Sequence, residues 1–412
     1  MKHYELLARL AQPAGTRIVL LVLDGVGDLR TTDQPRTALE LAATPNLDAL
    51  AARAALGRIL PVAPGITPGS GPGHLALFGY DPTSPEADIG RGVLEALGED
   101  LEIRRGDVAV RGNFATADAD GRLTDRRAGR IPTSESERLS AAMQAALDGE
   151  PVEGVEVLVE AGEGHRFVLR LRGVGPLTGK LSPDVADTDP QQLGVEPLPA
   201  RATGPAGEIT ARAVARAVEV MNQAIANEPQ ANRVLLRGFS KLPDLPPVPE
   251  LYQMRCGAFA GYPLYRGVAS ACGMEVVPCG KKLPDLVAAV AERWDDFDFF
   301  FLHVKSTDMA GEDGDVAAKA RTLEEIDREL PRLLELAPDV LAITGDHSTP
   351  APLAGHSWHP VPLLVASDRC FADDCQRFDE LEATRGHLGT IASMHLMGLL
   401  LANAGRLAKY GA

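Results

Sequence analysis

Arg17-Ile-Val-Leu-Leu-Val-Leu23, followed at once by Asp24-Gly25, is the stretch on which the fold turns. A strand with one wet face alternates apolar and polar side chains. An unbroken, β-branched apolar run belongs instead to a strand buried on both faces, as in the middle of a parallel sheet. Just beyond it, Thr44-Pro45 opens a helix, with threonine at the cap, proline at the first position, and Leu47, Leu50 and Ala54 at helical spacing. Gly57 is expected to end this helix, and residues 58–62 to form the next strand. The same alternation returns late in the chain. Helices are expected over 284–294 and 316–336, strands over 297–304, 340–344 and 361–366, and a last helix beyond Gly386, buried over 391–404. Strand–helix alternation specifies an α/β core with a mostly parallel sheet and helices on both faces.

The middle of the chain reads differently. Short strands, a turn at Asp120-Gly121, a hairpin over 155–171 and one clear helix over 211–226 lead to Pro243, Pro246, Pro247 and Pro249, which read as a linker. The organisation is therefore a discontinuous core, residues 1–105 and 246–412, carrying an inserted α+β domain over 106–245. A length of 412 residues, more than one ordinary core needs, agrees with this.

Composition narrows the function. A formal charge of −16 argues against a nucleic-acid partner, which needs clustered Lys and Arg. A small anion could still be bound, provided divalent cations or a local group of arginines reverse the field. No apolar run reaches the roughly 20 residues that span a bilayer, and residues 1–16 lack a signal-peptide core, so no membrane association is expected and the cytoplasm is the expected location. Five cysteines, odd in number and without a CxxC spacing, favour neither a disulfide framework nor a zinc ribbon.

Acids follow the strands. Asp24 comes directly after the first, Asp308 after the strand over 297–304, and Asp346 after the strand over 340–344. Parallel strands end on one sheet edge, where ligands bind. Three carboxylates gathered there repel one another unless cations hold them. His347 beside Asp346, and His356 before Pro360-Val-Pro362, add neutral imidazoles of the kind that suit Zn or Mn. His165, His303, His359, His387 and His395 read as ordinary structural histidines. The loop Pro64-Gly-Ile-Thr-Pro-Gly-Ser-Gly-Pro-Gly-His74 lets backbone approach a phosphate closely and presents Ser70 before a helical stretch, expected at 75–78. It lacks the Lys-Ser/Thr ending of a nucleotide P-loop. A serine hydroxyl becomes an effective nucleophile when a metal or base activates it. Arg111, Arg126, Arg127 and Arg130, with Arg237 expected just after an apolar strand, supply guanidinium groups matched to phosphate and carboxylate.

Taken together, several stretches resemble the archaeal-type 2,3-bisphosphoglycerate-independent phosphoglycerate mutases, members of the alkaline-phosphatase superfamily. They are Asp24-Gly25, Ser70 running on to His74-Leu-Ala-Leu-Phe-Gly-Tyr-Asp-Pro82, Gly90-Arg-Gly92, Asn113-Phe-Ala-Thr116, Asp125-Arg-Arg-Ala-Gly-Arg130, Gly345-Asp-His347 and His356. The resemblance covers nearly the whole chain. It implies an alkaline-phosphatase-like core with two divalent metal ions (Mn, Mg or Zn), an inserted substrate-binding domain and interconversion of 3-phosphoglycerate and 2-phosphoglycerate through a phosphoserine, with no bisphosphoglycerate cofactor. Carried over by motif, Asp24, Ser70, Asp346 and His347 would hold one ion, and Asp308 and His356 the other. The family usually has histidine four residues after the second-site aspartate, where this chain has Glu312. A carboxylate there would turn preference toward Mn or Mg. The rival readings are another phosphatase or phosphotransferase of the superfamily and a non-catalytic metal-binding protein.

Overall fold

The computed structural model describes residues 1–411. Tertiary contacts divide them into two compact units, Met1–Asp88 with Leu245–Ala412, and Ile89–Asp244. The boundary thus falls before residue 106. Residues 91–98 form a helix packed on strands of the second unit, where a Cβ on Gly92 would lie 2.2 Å from the Ala109 carbonyl.

The first unit is built on eight strands, β1 (Ile18–Leu23), β2 (Ala55–Leu60), β8 (Cys256–Ala260), β9 (Glu275–Val276), β10 (Phe299–Val304), β11 (Val340–Thr344), β12 (Val361–Ser367) and β13 (Gly389–Ala392). The second holds β3 (Val108–Ala117), β4 (Leu123–Asp125), β5 (Val155–Ala161), β6 (Arg166–Gly173) and β7 (Arg233–Ser240). In the first unit the order is β13-β2-β12-β11-β1-β10-β8-β9. All pairings are parallel except those of β12, which runs against both β11 and β2. β1 lies between β10 and β11, fully buried along its length, as its unbroken apolar run demands. The fold class is α/β with a mostly parallel sheet.

Three local expectations need correction. Gly57 does not end a helix. The helix Pro45–Ala51 stops earlier and Gly57 sits inside β2, where a Cβ would come within 2.7 Å of the Gly389 carbonyl on the neighbouring strand. The C-terminal stretch is not one helix. Ile391 and Ala392 belong to β13, and the helix spans Leu396–Asn403. The second unit has a long helix, Thr133–Gly149, besides Glu208–Ala224. Its buried face includes Ser136 and Ser140 among Leu139, Met143 and Leu147, so small polar residues in core positions hide the apolar period.

The second unit is an antiparallel sheet, with β3 between β6 and β7, packed with these helices around Val110, Phe114, Leu139, Met143, Phe167, Leu169 and Val214. Gly112 is required on β3 because a Cβ there would enter the Phe167 ring, at 2.1 Å.

Candidate functional site

The carboxyl edge of the first unit's sheet gathers the predicted acids. β1 delivers Asp24, and its neighbours β10 and β11 deliver Asp308 and Asp346-His347 to either side of it. Because β12 runs antiparallel, the segment that precedes it also lies at this edge, bringing His356 into the group. Asp24, Asp308, Asp346 and His347 are fully buried.

Two overlapping groupings emerge, Asp24–Asp346–His347 and Asp308–His347–His356, each with ligand atoms within 4.8 Å of one another. In the first, His347 Nε2 lies 3.2 Å from Asp24 Oδ1 and 3.4 Å from Asp346 Oδ2. All three of these atoms are buried and lack a hydrogen-bond partner. Buried polar atoms without partners are costly, and three that converge on one point fit a cation. Thr349 orients the imidazole. Its Oγ1 donates to Asp308 Oδ1, so it accepts from His347 Nδ1–H, which turns the Nε2 lone pair toward the two aspartates. Burial opposes ionising Asp24, but His303 and His347 outweigh it and hold the carboxyl well below the usual range. Burial likewise opposes a charge on His347, but Asp346 and Asp24 push its pKa up to about 9. A divalent ion would displace that proton.

The second grouping is looser. His356 Nε2 lies 3.6 Å from Asp308 Oδ1 and 3.7 Å from Glu312 Oε1. Asp308 and Glu312 occupy one face of the short helix Ser306–Glu312, with Glu312 at the exposed rim. Lys305 Nζ bridges Asp308 Oδ2 at 2.5 Å and Asp24 Oδ2 at 3.3 Å.

Ser70 occupies the first position of the helix Ser70–Leu77, which begins five residues before the expected 75. Its exposed N–H groups and dipole favour negative charge there. On one side the helix docks against Asp346: a Cβ on Gly73 would lie 2.5 Å from the Asp346 carbonyl, and His74 Nδ1 donates to the Ser70 carbonyl while lying 3.2 Å from Asp346 Oδ2. On the other, His356 Nδ1 donates to the Pro68 carbonyl. The loop's glycines thus allow a close approach of backbone to the acid cluster.

Sequence reading missed several residues here. His303, taken as structural, donates from Nε2 to Asp24 Oδ2 at 3.0 Å. Tyr265 stacks on His303, with ring centroids 3.6 Å apart, and its hydroxyl borders Asp24 and Ser70. Lys305 and His74 complete the surround. Tertiary contact alone reveals such partners, since Tyr265 and His74 come from the helices Pro263–Ala271 and Ser70–Leu77.

The five predicted arginines lie in the second unit, around a cavity of about 510 Å³ that also recruits Arg91, Arg166, Asn113 and His165, with Glu163 as the one acid on its wall. Register explains the grouping: Arg111 on β3 faces Arg237 on β7, and Asn113, two residues on, faces Arg166 on β6. Arg237 therefore lies within its strand, not after it. Asn113 Oδ1 and the Nε atoms of Arg166 and Arg237 are buried without hydrogen-bond partners. Burial, reinforced by Arg166, Arg127, Arg111 and Arg130, lowers the pKa of His165, which had been read as structural. Arg126 is already committed, with two bonds to Asp189 at 2.8 and 2.6 Å, so it forms wall more than hook. The cavity is an anion pocket by its chemistry.

Comparison with known proteins agrees with this chemistry. A family model described as the metalloenzyme superfamily matches residues 16–403. A "Probable 2,3-bisphosphoglycerate-independent phosphoglycerate mutase" of Thermus thermophilus is 50% identical over 415 residues, covering 100% of both chains. One of the same name from Deinococcus radiodurans is 47% identical over 406 residues, covering 98% of each. Among solved structures, a cofactor-independent phosphoglycerate mutase from Thermoplasma acidophilum superposes with a TM-score of 0.77 at 30% identity, covering 95% of this chain and 100% of its own. The chain belongs to the metalloenzyme superfamily and, within it, to the family of 2,3-bisphosphoglycerate-independent phosphoglycerate mutases.

Proposed function

We propose that this protein interconverts 3-phosphoglycerate and 2-phosphoglycerate by passing the phosphoryl group through Ser70. The observation that carries the reading is the convergence of three partnerless buried atoms, Asp24 Oδ1, Asp346 Oδ2 and His347 Nε2, beside a serine at a helix N-terminus. Asp24, Asp346 and His347, with Ser70, would hold one divalent ion, and Asp308, His356 and Glu312 a second. The oxygen-rich second set favours Mn or Mg. Bound ions of this kind lower the pKa of a coordinated hydroxyl and neutralise charge on phosphoryl oxygens.

Ser70 Oγ forms a bond to phosphorus as the bond from phosphorus to the substrate's C3 oxygen breaks, the serine's proton passing to that oxygen directly or through solvent, leaving a phosphoserine and glycerate. The C2 hydroxyl of the glycerate then takes the group back, its proton passing to solvent or to the serine oxygen. The N–H groups of the first helical turn face the developing negative charge. Arg111, Arg127, Arg130 and Arg237, with Arg126 as wall, bind the carboxylate and phosphate of the acid. The protein works in the cytoplasm, in keeping with five free thiols.

Product analysis tests this. With Mn and 3-phosphoglycerate, and without bisphosphoglycerate, phosphorus NMR should show 2-phosphoglycerate, whereas inorganic phosphate as the sole product would make the protein a phosphatase. Ser70→Ala should reduce turnover at least ~10³-fold and abolish acid-stable labelling from phosphorylated substrate. Retention of mutase activity in that variant would rule out the covalent route.

A further inference from the structure

Among the described residues Lys319 is the one lysine with no exposure at all, and nothing in the proposed reaction uses it. It lies in the first turns of the helix Val316–Leu334, and its ammonium donates to the carbonyls of Gly25 at 2.8 Å, Gly27 at 3.0 Å and Thr349 at 2.9 Å. An ammonium has three donors, and each is used here. The acceptors belong to two segments. One follows Asp24, and the other follows Asp346-His347 and includes Thr349, the residue that bonds both His347 and Asp308. The two segments already touch, with Thr349 N–H donating to the Gly25 and Gly27 carbonyls and Ser348 bridged to Val26 and Gly27.

A lysine is seldom buried completely, because desolvating its charge is costly, and an apolar side chain of like volume would fill the space more easily. Burial does lower the pKa of Lys319, but Asp28, Glu380, Asp308 and Asp24 oppose that fall and favour the charged form. Its carboxylate neighbours are themselves held in place. Asp28 accepts from the N–H groups of Ala38 and Ala351, and Glu380 accepts from Asp28 N–H and Thr37 Oγ1. Carboxylates clustered at an ion site push apart when no ion is bound.

We infer that Lys319 is a positioning residue for both ion sites. Its buried ammonium ties the Asp24 and His347 segments together and keeps their ligand atoms at chelating distance independently of bound metal. This rests on the assignment of Asp24, Asp308, Asp346 and His347 as ligands. Titration with Mn, read as free Mn by electron paramagnetic resonance, separates the two ideas. If the wild-type protein takes up no Mn, the ligand assignment fails, and the inference with it. If the wild type binds two ions, Lys319→Met should bind them at least ~10-fold more weakly, and wild-type affinity in that variant would overturn the role. In Lys319→Ala, ammonium chloride should restore much of the lost Mn affinity and tetramethylammonium should not, since only the smaller ion fits three converging carbonyls. Equal behaviour of the two salts would mean a merely structural lysine. Where neither variant folds, the wild type labelled with ¹⁵N-lysine decides. Its ammonium signal should be solvent-protected in the chelated, metal-free protein as well as in the Mg-saturated one, and protection that appears only with Mg would overturn the inference.

Discussion

Glu312 carries the chain's departure from its family's usual pattern, and its geometry is now defined. It shares a helix face with Asp308, one turn away, and its carboxylate reaches to 3.7 Å from His356 Nε2. A carboxylate that only favoured a helix N-terminus would sit in the first turn, whereas Glu312 closes the helix Ser306–Glu312. As a ligand, it makes Glu312→Gln lower Mn affinity at one of the two sites and reduce kcat by about 10- to 100-fold, the range seen when groups supporting a metal are removed. Glu312→His should keep activity with a changed preference among Mn, Mg and Zn. Wild-type occupancy and rate in Glu312→Gln would show that the second ion needs only Asp308 and the histidines. At this scale the sequence exposed Asp24, Ser70, Asp308, Asp346, His347 and His356, since each follows or precedes a recognisable strand or lies in a glycine-rich loop. It hid His303, because an imidazole inside the apolar run Phe299–Val304 leaves no local mark of what it bonds.

Elements were easiest to read where one physical demand acted alone. β1 is apolar throughout, and β10 and β11 are apolar but for His303 and Thr344 near their carboxyl ends, because both faces are covered. The direction of β12 was not legible. Its apolar run has the same composition either way, and only its pairing against β11 and β2 makes it antiparallel. The short helix Glu380–Ala383 offers a test of the buried charges near Lys319. Burial pushes the Glu380 carboxyl up from its ordinary 4.5 to about 7, Thr37 and Lys319 opposing the rise and Asp28 adding to it. Because the folded state holds this proton more tightly than the unfolded chain, its contribution is complete below pH ~4.5 and is lost as pH rises through 7, by roughly 3 kcal/mol. In Glu380→Gln, the fall in unfolding free energy between about pH 5 and 7 should flatten. Denaturant melts across that range would show it, and an unchanged slope would mean that Glu380 ionises normally.

Each of the two units of the whole molecule has its own sheet and core, and the acid cluster belongs to the first. Ions bound only by the folded form add stability by mass action, about 2.7 kcal/mol at a hundred times the dissociation constant. Chelation should therefore abolish activity and lower the melting temperature of the metal-loaded protein. Excess Mn should restore both, with a midpoint that climbs with its concentration. Full activity and an unmoved melting curve in exhaustively chelated protein would sink the two-ion reading.

The sequence by itself determined the α/β class, the strand-end acids, the Ser70 loop and the presence of an arginine-rich segment, because each follows from local composition and short spacing. Tertiary structure alone decided that Asp24 lies centrally between Asp308 and Asp346, that His356 reaches the same edge, that Lys319 ties their segments, and that Arg91 and Arg166 join the anion pocket. The reason is strand order and register. Which strand lies beside β1, and which residue faces Asn113 across β3, depend on contacts between residues far apart in the chain. No local pattern of side chains encodes those contacts.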